Sequence, residues 1–318
     1  MLYILIVAWV KPSMAPPVPY DGEYDAKFLP LAQNTKDTLQ IPVLLTDDPV
    51  NPTKNWWAEV VRDEGVINNI VKIIRPQANQ RLIEIGPGHG AITQYIQASG
   101  ADLELIELDN DLIPVLENKF GECENVRINH MDALQLKLTN GPYKVVGNLP
   151  YNISTPLLIN MLFMSEQISE MVFMLQKEVV QRICGSPGEK NFGRLSVMLQ
   201  HRFDCSAHLV IKPEAFTPQP KIDSQIIQLV TKKEINEVPL PALEALVKQA
   251  FQQRRKTIRN NLKKVVSMEQ LEAVGIDPGQ RPETVTVFQY EELTKLLSAW
   301  YQCKPLNHRS LHHYPVVF

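Results

Sequence analysis

The chain has 318 residues, 44% of them hydrophobic and 21% charged, which suits one large or two ordinary globular domains and excludes a disordered chain. No apolar run reaches about 18 residues, which excludes a transmembrane helix. A balance of 32 Lys and Arg against 35 Asp and Glu, net charge −3, excludes a uniformly basic nucleic-acid binder but leaves room for a local basic patch.

Residues 1–61 form an atypical, acidic, proline-rich extension, expected to be poorly ordered. Residues 1–54 alone hold 8 of the 24 prolines, with four Lys and six Asp or Glu. The apolar stretch Leu2 to Val10 is followed, not preceded, by its positive charge at Lys11, the reverse of a secretory signal. Cys123, Cys184, Cys205 and Cys303 make no Cys-x-x-Cys pair. Together these features point to a cytoplasmic protein with no zinc site and no disulfide framework.

A regular alternation starts at Arg62. Apolar residues at Val66, Ile67, Ile70, Val71 and Ile74 predict a helix that Pro76 stops. Arg81 to Ile85 reads as a strand running into Gly86-Pro-Gly-His-Gly90, followed by a helix through Ile92, Tyr95 and Ile96. Leu103 to Leu108 is a second strand, Asn110 to Phe120 a helix, and Val126 to Asn129 a third strand. Tyr143 to Val146 is a fourth, with a helix over Pro156 to Met164. Met171 to Leu175 is a fifth, with a helix over Lys177 to Ile183. Strands alternating with helices imply parallel βαβ units, with ligands at the carboxyl ends of the strands. Ala207 to Ile211 and Gln225 to Thr231 read as an antiparallel pair at the sheet edge. After a linker near Lys232 to Pro239 come helices over Leu243 to Phe251, Thr257 to Val265, Met268 to Val274 and Tyr290 to Trp300.

Three acids and a glycine loop fall at consecutive strand ends. Glu84 precedes Gly86 and Gly88, which let the backbone approach a ligand closely. Glu107, 21 positions after Gly86, can accept the hydroxyls of a ribose. Asp132 follows the third strand, where it could take the exocyclic amine of an adenine. A nicotinamide enzyme would share this much, but its fingerprint is Gly-x-Gly-x-x-Gly, not Gly-x-Gly-x-Gly. The fourth strand then runs into Asn148, Leu149, Pro150 and Tyr151. The Asn amide and the carbonyl before or at the proline can accept hydrogen bonds from an exocyclic amine, and Tyr151 offers a ring for an extruded base. Farther on, Arg254, Arg255, Lys256, Arg259, Lys263 and Lys264 put six positive charges in eleven residues with no acid. With Ile258, Leu262 and Val265 buried beneath them, they would form one phosphate-binding surface.

From Arg62 to about Trp300 the chain resembles the KsgA/Dim family of ribosomal RNA adenine dimethyltransferases. The resemblance is carried by IEIGPGHGAIT (Ile83 to Thr93), IELD (Ile106 to Asp109), GNLPYNISTP (Gly147 to Pro156), MLQKEV (Met174 to Val179), FGRLSV (Phe192 to Val197), FTPQPKIDS (Phe216 to Ser224) and QRRKTIRNNL (Gln253 to Leu262). Related resistance methyltransferases that act on large-subunit RNA match the last two segments less well. The resemblance implies an α/β, Rossmann-like, S-adenosylmethionine-dependent methyltransferase fold, placed over 62–234, and a small all-helical RNA-contacting domain, placed over 239–304; the tail over 305–318 has no counterpart in the family. It implies dimethylation of N6 of two adjacent adenines near the 3′ end of small-subunit (16S) ribosomal RNA, with a role in subunit biogenesis; the composition and spacing themselves predict no membrane and no metal partner. In that frame Gly86 and Gly88 line the cofactor, Glu107 takes its ribose and Asp132 its adenine. Asn148 lies between cofactor and target amine within Asn148, Leu149, Pro150 and Tyr151, and Phe216 is a second aromatic at the target base.

The match fails in one place. Where the family carries a Gly-Gln-Asn-Phe-Leu-like motif that helps bind the cofactor, this chain has Trp57-Ala58-Glu59-Val60-Val61, and a carboxylate at Glu59 cannot donate as an amide does. The mismatch has two readings. One is a frame error: Trp56 to Val61 can be encoded so that a one-base shift reads Gly-Gly-Gln-Lys-Leu, which resequencing the codons for Val50 to Gly65 tests. The other is a ribosome-assembly RNA-binding factor with weak or absent transfer activity. His308, His312 and His313 in the tail have no carboxylate or Cys at ligand spacing and predict no metal.

Overall fold

The computed structural model describes residues 60–61, 63–217 and 219–303. The expectations for residues 1–59, Trp57 to Glu59 among them, and for the tail histidines fall outside them; Val60 and Val61, assigned to the extension, are instead a strand paired with Phe216 and Thr217.

Strand β1 (Val60–Val61) precedes α1 (Glu64–Ile74). Asp63 starts that helix by accepting from the Val66 N–H at 3.0 Å, and Arg75, in the left-handed conformation at φ 48°, ends it ahead of Pro76. There follow β2 (Arg81–Ile85), α2 (Thr93–Ala98), β3 (Asp102–Glu107), α3 (Ile113–Phe120), β4 (Val126–His130), β5 (Tyr143–Asn148), α4 (Tyr151–Phe163), β6 (Ile168–Gln176) and α5 (Lys177–Cys184). Then come α6 (Arg194–Arg202), β7 (Phe203–Ile211), β8 (Phe216–Thr217) and β9 (Ser224–Thr231), and the helices α7 (Leu240–Ala250), α8 (Ile258–Leu262), α9 (Met268–Ala273) and α10 (Val287–Cys303).

Seven strands form one sheet in the order β4-β3-β2-β5-β6-β9-β7. The first five are mutually parallel; β9 and β7 join antiparallel at the edge, as the sequence pattern predicts. Central strands such as β6 are apolar on both faces because helices cover both. Ile83, Val145, Phe173 and Leu229 point into one core, and Leu82, Val146, Val172 and Ile226 into the other. The chain leaves β2 towards β3 and β4, then returns to place β5 on β2's other side. The β2–β5 boundary is therefore the switch point where such sheets bind ligands.

Three expectations about elements need correction. Helix α6 falls where no helix was expected after Gly193. Its Leu195, Ser196, Val197, Met198, Leu199 and His201 are all buried, so it carries no amphipathic period. Helix α4 starts at Tyr151, five residues before the expected Pro156, with Pro150 as its N-cap residue and Pro156 inside it. Helix α8 ends at Leu262, so Val265 is 42% exposed and Val266 takes the buried place.

The helices after residue 239 share the first core: Leu243, Val247, Leu262 and Tyr290 join the cluster that contains Val145 and Phe173. Helix α6 bridges the two parts. Arg194 pairs with Glu244 of α7 at 2.6 Å, and buried His201 meets Glu291 of α10 at 2.8 Å.

Candidate active site

The glycine loop leaves β2 with Gly86, Gly88 and Gly90 at φ 66°, 58° and 82°, a region that L side chains rarely adopt. The Gly86 N–H donates to the Ile106 carbonyl at 2.9 Å, tying the loop to β3. A Cβ on Gly86 would stand 3.6 Å from the Asn148 carbonyl oxygen, and one on Gly88 would meet nothing within 4 Å. Bare backbone therefore faces the end of β5 across the switch point, and the space above it is open to a ligand.

Glu107 ends β3 and is buried. Its Oε1 accepts the N–H groups of Leu108 at 2.8 Å and Asp109 at 2.9 Å; its Oε2 accepts that of Gly88 at 3.3 Å. Two bonds saturate Oε1, so Oε2 is the oxygen left for a ligand hydroxyl. Asp132 follows β4 and caps a short turn, its Oδ1 accepting from the Leu134 N–H at 2.8 Å. Capping fixes the carboxylate and leaves Oδ2 for a donor.

Glu84 lies beneath the loop, where the Thr93 hydroxyl donates to its Oε2 at 2.7 Å. Burial pushes the Glu84 carboxyl from the ordinary 4.5 up to about 7; the Thr93 bond opposes this and the nearby Glu107 charge adds to it.

Asn148 is the last residue of β5. The next peptide is held by the Leu149 N–H donating to the Met174 carbonyl on β6 at 3.2 Å, with the Leu149 side chain buried. The Pro150 carbonyl is taken by the N–H groups of Ile153 and Ser154 at 3.1 and 3.2 Å. Of the two carbonyls the sequence left open, the helix thus uses that of Pro150, and the one before the proline, on Leu149, remains beside Asn148. Tyr151 opens α4, half-buried, with its hydroxyl 3.2 Å from Ser224 Oγ. Phe216 is only 3% exposed and sits in the core with Met174 and Ile226, its strand β8 paired with β1 through Val61. The structure thus gathers Gly86, Gly88, Glu107, Asp132 and Asn148 to Tyr151 at the carboxyl ends of β2 to β5, with Phe216 beneath the surface.

The six basic residues are all exposed. Arg254, Arg255 and Lys256 occupy a turn after α7, Arg259 lies on α8, and Lys263 and Lys264 follow it. Buried Asn261 holds the turn by donating from Nδ2 to the Gln253 carbonyl at 3.1 Å. Arg254 is partly engaged: its guanidinium donates to the carbonyls of Lys190 at 2.7 Å and Phe192 at 3.3 Å, which fastens the 185–193 loop to the turn. Among the described residues no His, Cys, Asp and Glu cluster could hold a metal, and no helix is long and apolar enough to cross a membrane.

Residues 54–299 match the family described as ribosomal RNA adenine dimethylase. The chain belongs to that family. The ribosomal RNA small subunit methyltransferase A of Marinobacter nauticus is 44% identical over 254 residues, covering 77% of this chain and 91% of its own length. That of Saccharophagus degradans is 45% identical over 252 residues, covering 77% and 94%. Among solved structures, a Plasmodium falciparum dimethyladenosine transferase superposes with a TM-score of 0.68 at 20% identity over 76% of this chain and 98% of its own. The 23S rRNA methyltransferase ErmE gives 0.62 at 23% over 75% and 99%. These last two establish the fold.

Within this adenine dimethylase frame, the structure gives a role to Gly147, which opens the GNLPYNISTP segment but was assigned none there. A Cβ there would stand 2.4 Å from the Ile85 carbonyl oxygen, so β5 can lie this close to β2 only without a side chain at 147. The signal was its place immediately before Asn148 in a strand, where glycine otherwise costs stability. Thr93 and Ser224 gave no such signal, because their partners lie on other elements.

Proposed function

We propose that this chain transfers methyl groups from S-adenosylmethionine to N6 of two adjacent adenines near the 3′ end of small-subunit (16S) ribosomal RNA, in the cytoplasm, as a step in subunit biogenesis. One observation carries the reading. The bare-backbone glycine loop and the Asn148 to Tyr151 segment leave adjacent strands at the switch point, so a cofactor and an extruded adenine can meet there. The family membership and the relatives favour this over the binding-only alternative.

The residues fit the cofactor. Gly86 and Gly88 offer backbone without side chains, Glu107 Oε2 an acceptor for a ribose hydroxyl, and Asp132 Oδ2 an acceptor for an adenine amine. When bound, the cofactor supplies an electrophilic methyl on a sulfonium. Asn148 Oδ1 and the Leu149 carbonyl accept the two N6 protons of the target adenine and aim its lone pair. Tyr151 stacks on the extruded base. In each transfer the N6 lone pair would take the methyl, the sulfonium would keep the C–S electron pair, and one N6 proton would leave to water. No strong base is needed, so positioning is the main contribution of the protein. Residues 62–234 carry this chemistry. Residues 239–304 carry the RNA surface, with Arg255, Lys256, Arg259, Lys263 and Lys264 on phosphates and Arg254 shared between the RNA and the 185–193 loop.

The test is transfer of labelled methyl to small ribosomal subunits that lack the modification, with nucleosides identified by mass spectrometry. N6,N6-dimethyladenosine is the expected product. Subunit binding without incorporation would replace this reading with that of an assembly factor.

A further inference from the structure

The hydroxyl of Tyr151 meets Ser224 Oγ at 3.2 Å. Ser224 lies two strands away from Asn148: β5 pairs with β6, β6 pairs with β9, and Ser224 opens β9 opposite Gln176. The Tyr151 side chain therefore reaches past the end of β6. Its partner is rigid. Ser224 is 1% exposed, and its backbone is paired with Gln176 on one side and Ile211 on the other. The preceding residue is held as firmly. The Asp223 carbonyl accepts the Lys177 N–H at 3.0 Å, and its Oδ2 accepts Lys177 Nζ at 3.3 Å and Lys212 Nζ at 3.0 Å.

A tyrosine hydroxyl lies on the long axis of its ring, so a hydrogen bond there fixes the direction of that axis, which χ1 otherwise sets among staggered wells. The bond joins two side-chain hydroxyls and takes no backbone N–H of α4, so it is not a helix cap.

We infer that Ser224 is a positioning residue for methyl transfer, holding the Tyr151 ring in place for the extruded base, and that the second methylation depends on it more than the first. This rests on the function proposed above. An unmodified adenine donates two N6 protons to Asn148 Oδ1 and the Leu149 carbonyl. Once one methyl is attached, N6 has a single proton to donate, and one of the two bonds that orient the amine is gone. Orientation in the second step then falls on the stacked ring, whose direction Ser224 sets.

The test compares the full-length wild type with Ser224→Ala, Tyr151→Phe, the double variant and Ser224→Thr on small subunits lacking the modification. It reads kcat, KM for subunits, and the ratio of mono- to dimethyladenosine. Ser224→Ala is expected to slow the second transfer by about 5- to 10-fold, the effect of one hydrogen bond, so that monomethyladenosine accumulates while KM is unchanged. Tyr151→Phe also removes this bond and should shift the product ratio in the same direction, the double variant should lose less than the product of the two single losses, and Ser224→Thr should keep dimethylation. A wild-type product ratio in Ser224→Ala, or losses that multiply in the double variant, would overturn the inference alone. A wild type that makes no dimethyladenosine would overturn the functional reading, and this inference with it.

Discussion

The strand-end site and the basic turn after α7 are built by opposite means. At the strand ends Glu84 and Glu107 are buried, and the glycine loop is tied to β3 by the Gly86 N–H on the Ile106 carbonyl and the Gly88 N–H on the Glu107 carboxylate. At the turn all six cations are exposed, and buried Asn261 and the carbonyls of Lys190 and Phe192 hold the backbone in shape beneath them. Aligning an amine with a methyl needs geometry held to a fraction of an ångström, which only packed backbone supplies. Gathering RNA needs charge near phosphates, which tolerates motion. The two regions should therefore respond to different variables, the interior to pH and the turn to salt.

The largest effect that sharpens this contrast is at Glu84. Folding holds a proton up to about pH 7 that the unfolded chain releases near 4.5. The folded state thus binds more protons across that window, and stability contributed by Glu84 is full below 4.5 and lost as pH rises through 7. The loss amounts to about 3 kcal/mol. Glu84→Gln keeps an acceptor for the Thr93 hydroxyl and has no charge to bury. Urea denaturation at several pH values should show the wild type losing stability from pH 5 to 7.5 while the variant stays flat. Parallel curves would mean that Glu84 is not the group responsible.

A smaller effect is expected at the turn. Reversing both Arg255→Glu and Lys256→Glu removes two of the proposed phosphate contacts, which should weaken RNA binding about 10-fold and make the slope of log affinity against log salt shallower by about 1.4. Arg254 is left intact because it also holds the 185–193 loop. Filter binding across a salt series reads both quantities. An unchanged slope would break the comparison by placing the RNA elsewhere.

Much of the interior site was legible in the sequence because it is written locally. A strand, its glycine turn and the following acid are neighbours in the chain, and β2 has the bounds expected of it. Features that depend on distant elements were not legible. Helix α6 has its buried residues all round, so no period distinguished it from a strand. The α4 start at Tyr151 was hidden by two prolines that usually mark breaks, one serving as N-cap residue and one tolerated within the helix. Val265 fitted a longer helical period than α8 completes, because Thr257 starts the helix and the chain turns after Leu262. The Tyr151–Ser224 contact joins residues 73 positions apart, and no spacing rule reaches that far.

The central claim is that Asn148 acts in methyl transfer and the basic turn acts in RNA binding. Single-turnover methyl transfer and RNA affinity, measured side by side on Asn148→Ala, test it most directly. The account predicts a rate lower by about 100-fold or more, with RNA affinity within about 2-fold of the wild type. Equal losses in both, or an unaffected rate, would contradict it and move the chemistry away from the end of β5.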